Sequence, residues 1–190
     1  MKIIVPYTDL NEWTELLTKT EHPETQFIDV SGSLEDYYHL MVKTWREQET
    51  FILMEHDALC WPGALQQLWD CPEPFCMFQT PMTWYLGEWQ LHNGPAKFHK
   101  SLMERFPTHM DEVNSRDWHN VYYWLYEQLQ HPKGIVVHIH TPPVIHLNAN
   151  RFTNEWNGRY TGTPTHTGRQ LNEQNGKQAG TRREGSKDTI

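Results

Sequence analysis

The stretch TFILMEHDALCWPGAL (residues 50–65) decides how the chain is read. A short apolar run, the pattern of a buried strand, meets Glu55, His56 and Asp57 and then a helix start near Pro62. Charged groups are costly to bury unless they are paired or hold a metal, and in open α/β sheets ligands bind at the carboxyl ends of the strands. On a strand, residues 55 and 57 point to one side and 56 to the other. Two carboxylates converging in this way suit a hard cation such as magnesium or manganese, and such an ion in turn neutralises phosphate oxygens. A plainer reading stands beside it: a solvated strand end whose acids cap the helix at Pro62.

Outward from this stretch the pattern alternates. KIIVPY is an apolar strand, and LNEWTELLTKT places Leu10, Trp13, Leu16 and Leu17 at helical spacing. TQFIDVSGS is a second strand closed by a turn signal, and Ser33 with Asp36 makes an S-x-x-D box before an amphipathic helix. The order β-α-β-α-β-α predicts a parallel sheet. Later, PFCMFQTPM reads as a strand and residues 84–107 as a loop or irregular strand with a short helix from about Pro95. SRDWHNVYYWLYEQLQHPKG is a helix with Trp118, Val121, Tyr122, Leu125 and Leu129 on one stripe and Gly134 beyond its end. IVVHIHTPPVIHLN is a last strand. The expected fold class is α/β, a three-layer Rossmann-like arrangement with a mixed, mainly parallel sheet and flanking helices.

Composition bounds the rest. At 190 residues the chain fits one domain, and the charge of -8 gives no general electrostatic footprint for nucleic acid, although a local basic groove is compatible with it. We expect the domain over 1–150, a lid or wrapping segment over 151–175 and a disordered tail over 176–190, because the polar, Gly- and Asn-rich end cannot bury enough to offset its ordering entropy. Three cysteines without CxxC pairs predict reduced thiols rather than a disulfide framework. No apolar run suits a signal peptide or approaches the ~20 residues of a membrane span, so the expected location is cytoplasmic, with no membrane partner.

Two further groups carry possible chemistry. HIHTPPVIH puts His138 and His140 on one strand face, where we expect structural roles, while His146 lies beyond a Pro-Pro corner from which it can return over the sheet edge as a metal ligand. Asp117, two residues after Ser115, stands where a helix begins. An acid there is either a simple cap or a general base at a pocket mouth.

The opening IIVPY, the acidic pair in EHDALCWPGALQQLWDCPEPFCMF, the aspartate that opens the later helix and the late histidine together resemble the GT-A class of nucleotide-sugar-dependent glycosyltransferases, in particular small family-2-like members of bacteria and phages. The resemblance covers roughly 1–147, with Glu55-His56-Asp57 standing where Asp-x-Asp is usual. It implies that Asp57, with Glu55 and His146, holds Mn2+ or Mg2+ against the donor diphosphate. It also implies that Asp117 is the base toward an acceptor hydroxyl, and that Tyr7 and Asp29 contact the nucleoside of a donor, UDP-sugar first, with Asp36 in the same group. The second strand has no pair of adjacent aspartates, which leaves the base open. The acceptor it implies is a glycan or a hydroxymethylated base in DNA, the latter met by a patch of Lys97, Lys100, Arg105 and Arg151.

Two other readings compete. Nine Trp and eight Tyr could serve a non-catalytic carbohydrate- or nucleic-acid-binding module. In that case Trp84, Trp89 and Trp156, in loops, would line a groove, while Trp13, Trp45, Trp69, Trp118 and Trp124, in helices, belong to the core. Nucleotidyl transfer would use the same sheet and acids but needs a Gly- and basic-rich phosphate loop after the first strand, and VPYTDLNEW has none.

Overall fold

Ile3, Ile4 and Val5 are all almost wholly buried, and a strand that buries both faces belongs inside a covered sheet. The computed structural model describes residues 1–85, 88–141 and 144–147, without the side chains of 81–93 and 119. In it that strand, β1 (Ile3–Tyr7), pairs in parallel with β2 (Gln26–Asp29) and β3 (Phe51–Leu53). Beyond β3, β6 (Glu88–Phe98) runs antiparallel to both β3 and β5 (Phe75–Tyr85), and β7 (His138–His140) lies parallel to β5. The sheet order is β2-β1-β3-β6-β5-β7. Only β6 is reversed, so the sheet is mixed and mainly parallel, as expected.

The two-residue period of a strand sends alternate side chains to opposite faces, and each face has its own core. Ile4, Phe51, Phe75, Met77 and Phe98 pack on α2 (Asp36–Arg46), α4 (Lys100–Arg105) and α5 (Trp118–Tyr123). Ile3, Val5, Ile52, Cys76 and Phe78 pack on α3 (Ala64–Asp70). The hydroxyl of Thr18 on α1 (Glu12–Glu21) meets the Met54 sulfur of this second face at 3.9 Å. Helices on both sides of one sheet make the Rossmann-like three-layer arrangement.

Four expectations change. The third strand does not run to residue 57 but stops at Leu53. No helix starts at Pro95: β6 continues through it, because a one-residue register shift opposite Phe78 lets Gly94 and Pro95 face that single residue. Such a bulge needs no N–H from proline, and a Cβ at Gly94 would come within 2.9 Å of the Phe78 carbonyl oxygen. On α1 the buried residues are Thr14 and Thr18, leaving Trp13 54% and Leu16 57% exposed. Small threonines allow the close approach of the helix that the larger apolar face would block. Finally, Trp118 is 54% exposed although Val121, Leu125 and Leu129 of its stripe are buried: it is the first residue of α5, at the end of the stripe, and the helix then widens into a π turn over Trp124–Gln128. The segments 151–175 and 176–190, and Trp156 and Arg151 with them, lie outside the described residues, as do the side chains of Trp84 and Trp89.

His109, in a 3-10 turn (His109–Glu112), sits at 0% exposure between Trp45 and Trp124, with Nε2 2.8 Å from the Trp124 carbonyl oxygen. Its Nδ1 has no hydrogen-bond partner among the described residues. Burial, reinforced by the Lys133 charge, pushes its pKa down to about 4. Between the unfolded value and that figure, only the unfolded chain takes up the proton. The stabilisation from keeping His109 neutral is therefore complete above about pH 6.5 and is lost as pH falls toward 4, on the order of 3 kcal/mol in all. Urea unfolding as a function of pH should show His109→Gln taking up roughly one proton fewer on unfolding near pH 5. An unchanged pH slope would contradict this account.

Candidate metal and nucleotide site

The chain leaves β3 through Met54, whose N–H donates to the Ile4 carbonyl at 3.0 Å, and then turns. The Ala58 N–H donates to the Glu55 carbonyl at 3.2 Å, closing a turn with His56 and Asp57 at its centre. The next two residues, β4 (Ala58–Leu59), pair antiparallel with β8 (Ile145–His146), so that Ala58 lies opposite His146. The Leu147 N–H donates to the Asp57 carbonyl at 2.6 Å, and the Val144 N–H to the Gln79 carbonyl at 2.9 Å. Thus the return of His146 past the Pro-Pro corner is fixed by backbone pairing. The acids converge through a turn and a small ribbon, not through strand alternation as expected.

The result is a close cluster. His146 Nε2 lies 3.1 Å from Glu55 Oε2 and 3.2 Å from Asp57 Oδ1. One donor atom from each residue falls within 4.8 Å of the others. Asp57 is only 6% exposed, and Glu55 and His146 are half-buried. Burial works against an imidazolium here, but the hydrogen bond to Glu55 and the charges of Asp57 and Glu55 outweigh it and raise the pKa of His146. The acids thus create a demand for positive charge that either a proton or a cation can meet. Two carboxylate oxygens and an imidazole nitrogen suit manganese, and magnesium with more water in its shell. The donor set fits such an ion. Glu55 also acts inward: after burial, its charge is the next cause raising the hydroxyl of Tyr37 on α2, and it contributes at Tyr126 in the π turn. Tyr37 is a residue that the sequence patterns gave no reason to single out.

The plainer reading of the acids as a helix cap does not hold. Gly63 starts α3 in the left-handed region at φ 81°, with no side-chain cap, and its N–H donates to Glu21 Oε2 at 3.1 Å.

Tyr7 and Asp29 end β1 and β2 opposite one another. Because β1, β2 and β3 are parallel, both lie along the same sheet edge as Glu55. Asp29 is exposed, and hydrogen bonding from the Ser31 side chain, with the Ser31 N–H at 2.8 Å second, holds its carboxyl below the usual range. Asp36 takes the box role read from the sequence, accepting from Ser33 N at 2.9 Å and Ser33 Oγ at 2.6 Å. Asp117 caps α5, accepting from Asn120 N at 3.2 Å, Asn120 Nδ2 at 2.7 Å and Ser115 Oγ at 2.6 Å. The basic patch is not assembled as expected. Lys97 is 1% exposed, because it lies within β6 opposite Cys76 and spends its ammonium on the Cys71 carbonyl.

No protein-family model matches the chain, and no curated protein matches it in sequence. Among solved structures, a glycosyltransferase involved in the glycosylation of the major capsid of PBCV-1 superposes with a TM-score of 0.52 at 12% identity, covering 82% of this chain and 98% of that one. CTP:phosphocholine cytidylyltransferase from Streptococcus pneumoniae gives a TM-score of 0.49 at 12% identity, covering 82% of this chain and 76% of that one. The class so defined is a fold, the α/β Rossmann-like sheet with flanking helices that this chain shares with the first of these enzymes.

Proposed function

We propose that the chain is a GT-A-type glycosyltransferase, moving a sugar from a nucleotide-sugar donor, UDP-sugar first, to a hydroxyl acceptor. The convergence of Glu55, Asp57 and His146 at the carboxyl edge of parallel strands, beside Tyr7 and Asp29, is the observation that carries this reading. Those three side chains would hold Mn2+ or Mg2+. When bound, the ion offsets the charge that builds on the diphosphate leaving group. Tyr7 would stack on the nucleoside and Asp29 would accept from ribose or uracil hydrogen-bond donors, with Asp36 shaping the intervening loop through its grip on Ser33.

Asp117 would accept the proton of the acceptor hydroxyl. Ser115 and Asn120 already donate three hydrogen bonds to this carboxylate, so taking up that proton would exchange one of them for the acceptor hydroxyl. The acceptor fits a glycan better than a hydroxymethylated base in DNA. Lys97 is buried, so among the described residues the basic patch expected to meet a duplex does not assemble, and the net charge of -8 does not favour strong binding to phosphates. Nucleotidyl transfer is disfavoured because the β1–α1 connection, residues 8–11, reads Thr-Asp-Leu-Asn, with neither glycine nor a basic side chain.

The test is release of UDP from UDP-sugars with manganese, with and without candidate glycans. Asp117→Asn keeps the cap and should lower turnover by about a hundredfold, as expected for a lost general base, with donor affinity nearly unchanged. Turnover equal to the parent protein would return Asp117 to capping alone.

A further inference from the structure

A second group of donors lies on the α3 face, toward the amino-terminal ends of β5 and β7 and away from the edge that carries Glu55. Cys71 is fixed as the C-cap of α3 by its N–H to the Leu68 carbonyl, 3.2 Å. His138 and His140 stand on the same face of β7, in register with Cys76 and Phe78. Cys71 Sγ is 3.2 Å from His138 Nδ1, the two imidazole rings are 4.5 Å apart, and one donor atom from each of the three residues falls within 4.8 Å of the others.

Burial makes this more than a surface coincidence. Cys71 and His140 are each 8% exposed, and His140 Nε2 is buried with no hydrogen-bond partner among the described residues. An orphaned imidazole nitrogen costs free energy unless something fills its lone pair or takes its proton. Zinc bonds of about 2.3 Å to sulfur and 2.0–2.1 Å to nitrogen set a tetrahedral edge near 3.5 Å. The Cys71–His138 pair is within a few tenths of an ångström of that edge.

We propose that Cys71, His138 and His140 form a zinc site of one thiolate and two imidazoles, with a fourth position open to solvent beside the exposed His138. The soft thiolate separates it from the oxygen-rich cluster at Glu55, which prefers harder ions. Cys76 stays outside the set. Burial, partly offset by Lys97, pushes its thiol up to about 12, and its sulfur is 3.6 Å from the Leu68 carbonyl. The buried ammonium of Lys97 opposes a cation here, and the thiolate charge of Cys71 is what offsets it.

Cobalt(II) is the probe, because a thiolate ligand gives it an intense near-ultraviolet charge-transfer band that carboxylate and imidazole ligands do not. Titration of the metal-stripped full chain should develop this band. Cys71→Ser should abolish it, and Asp57→Asn should leave it in place. His138 is exposed, so His138→Asn keeps the fold and should weaken zinc affinity, read by competition with cobalt, at least tenfold. A parent protein that binds cobalt without the band, a band that survives Cys71→Ser, or unchanged affinity in His138→Asn would overturn the assignment.

Discussion

Asp57→Ala is expected to lower manganese-dependent affinity for UDP by about a hundredfold or more while the chain stays folded. Changes merely outside a metal's ligand shell commonly cost ~10–100-fold, and Asp57 is the most buried member of the cluster, 3.2 Å from His146. The backbone that positions the site does not depend on its side chain, because it is the Asp57 carbonyl that receives the Leu147 N–H and Ala58 that pairs with His146. Calorimetry with UDP and manganese checks this, with circular dichroism to confirm the fold. Equal metal-dependent affinity in parent and variant would remove Asp57 from the site.

Phe98→Ala should be the most damaging single truncation in the core, costing about 3–5 kcal/mol. Phe98 is 0% exposed, stacked on Phe51 at 5.2 Å and Phe75 at 5.0 Å and edge-on to Tyr126 at 5.7 Å and Trp45 at 6.3 Å. It therefore joins β3 and β5 to α2 and the π turn, and no single neighbour can collapse into the space it leaves. Against a typical stability of about 5–15 kcal/mol, this is a large fraction. Urea unfolding should show a lower midpoint with the slope unchanged, whereas Val136→Ala, at a position 82% exposed, should change stability by under ~0.5 kcal/mol. A loss below about 1 kcal/mol for Phe98→Ala would mean that the aromatic cluster repacks freely.

What could be read in the sequence follows the range of the interactions involved. β1 and β3 were legible because both of their faces are buried, which writes the continuous apolar runs IIV and FIL, whereas β2, exposed at both ends, was marked by the Ser-Gly-Ser turn signal that follows it. β6 was hidden because Gly94 and Pro95 signal a loop locally, while the bulge opposite Phe78 that admits them is a property of the partner strand. The buried face of α1 could not be inferred, since Thr14 and Thr18 carry no apolar signal and fit only because Met54 and the sheet lie close by. Glu55, Asp57 and His146 were singled out by residue type, yet the reason they meet is a turn and a β4–β8 ribbon whose halves are far apart in sequence. Cys71 and His138 are 67 residues apart, and no spacing rule connects them.

The most direct test of the central claim is a thermal-shift titration of the full chain with UDP, with and without manganese. A ligand that binds only the folded state raises the melting temperature by mass action, and a diphosphate placed beside Glu55 and Asp57 without a cation would meet strong charge repulsion. The account predicts a melting temperature that rises with UDP concentration only when manganese is present, with no rise for AMP or for free sugars. No shift with any nucleotide under any divalent cation, alongside a shift with an oligosaccharide or a DNA strand, would contradict it and make the chain a binding module.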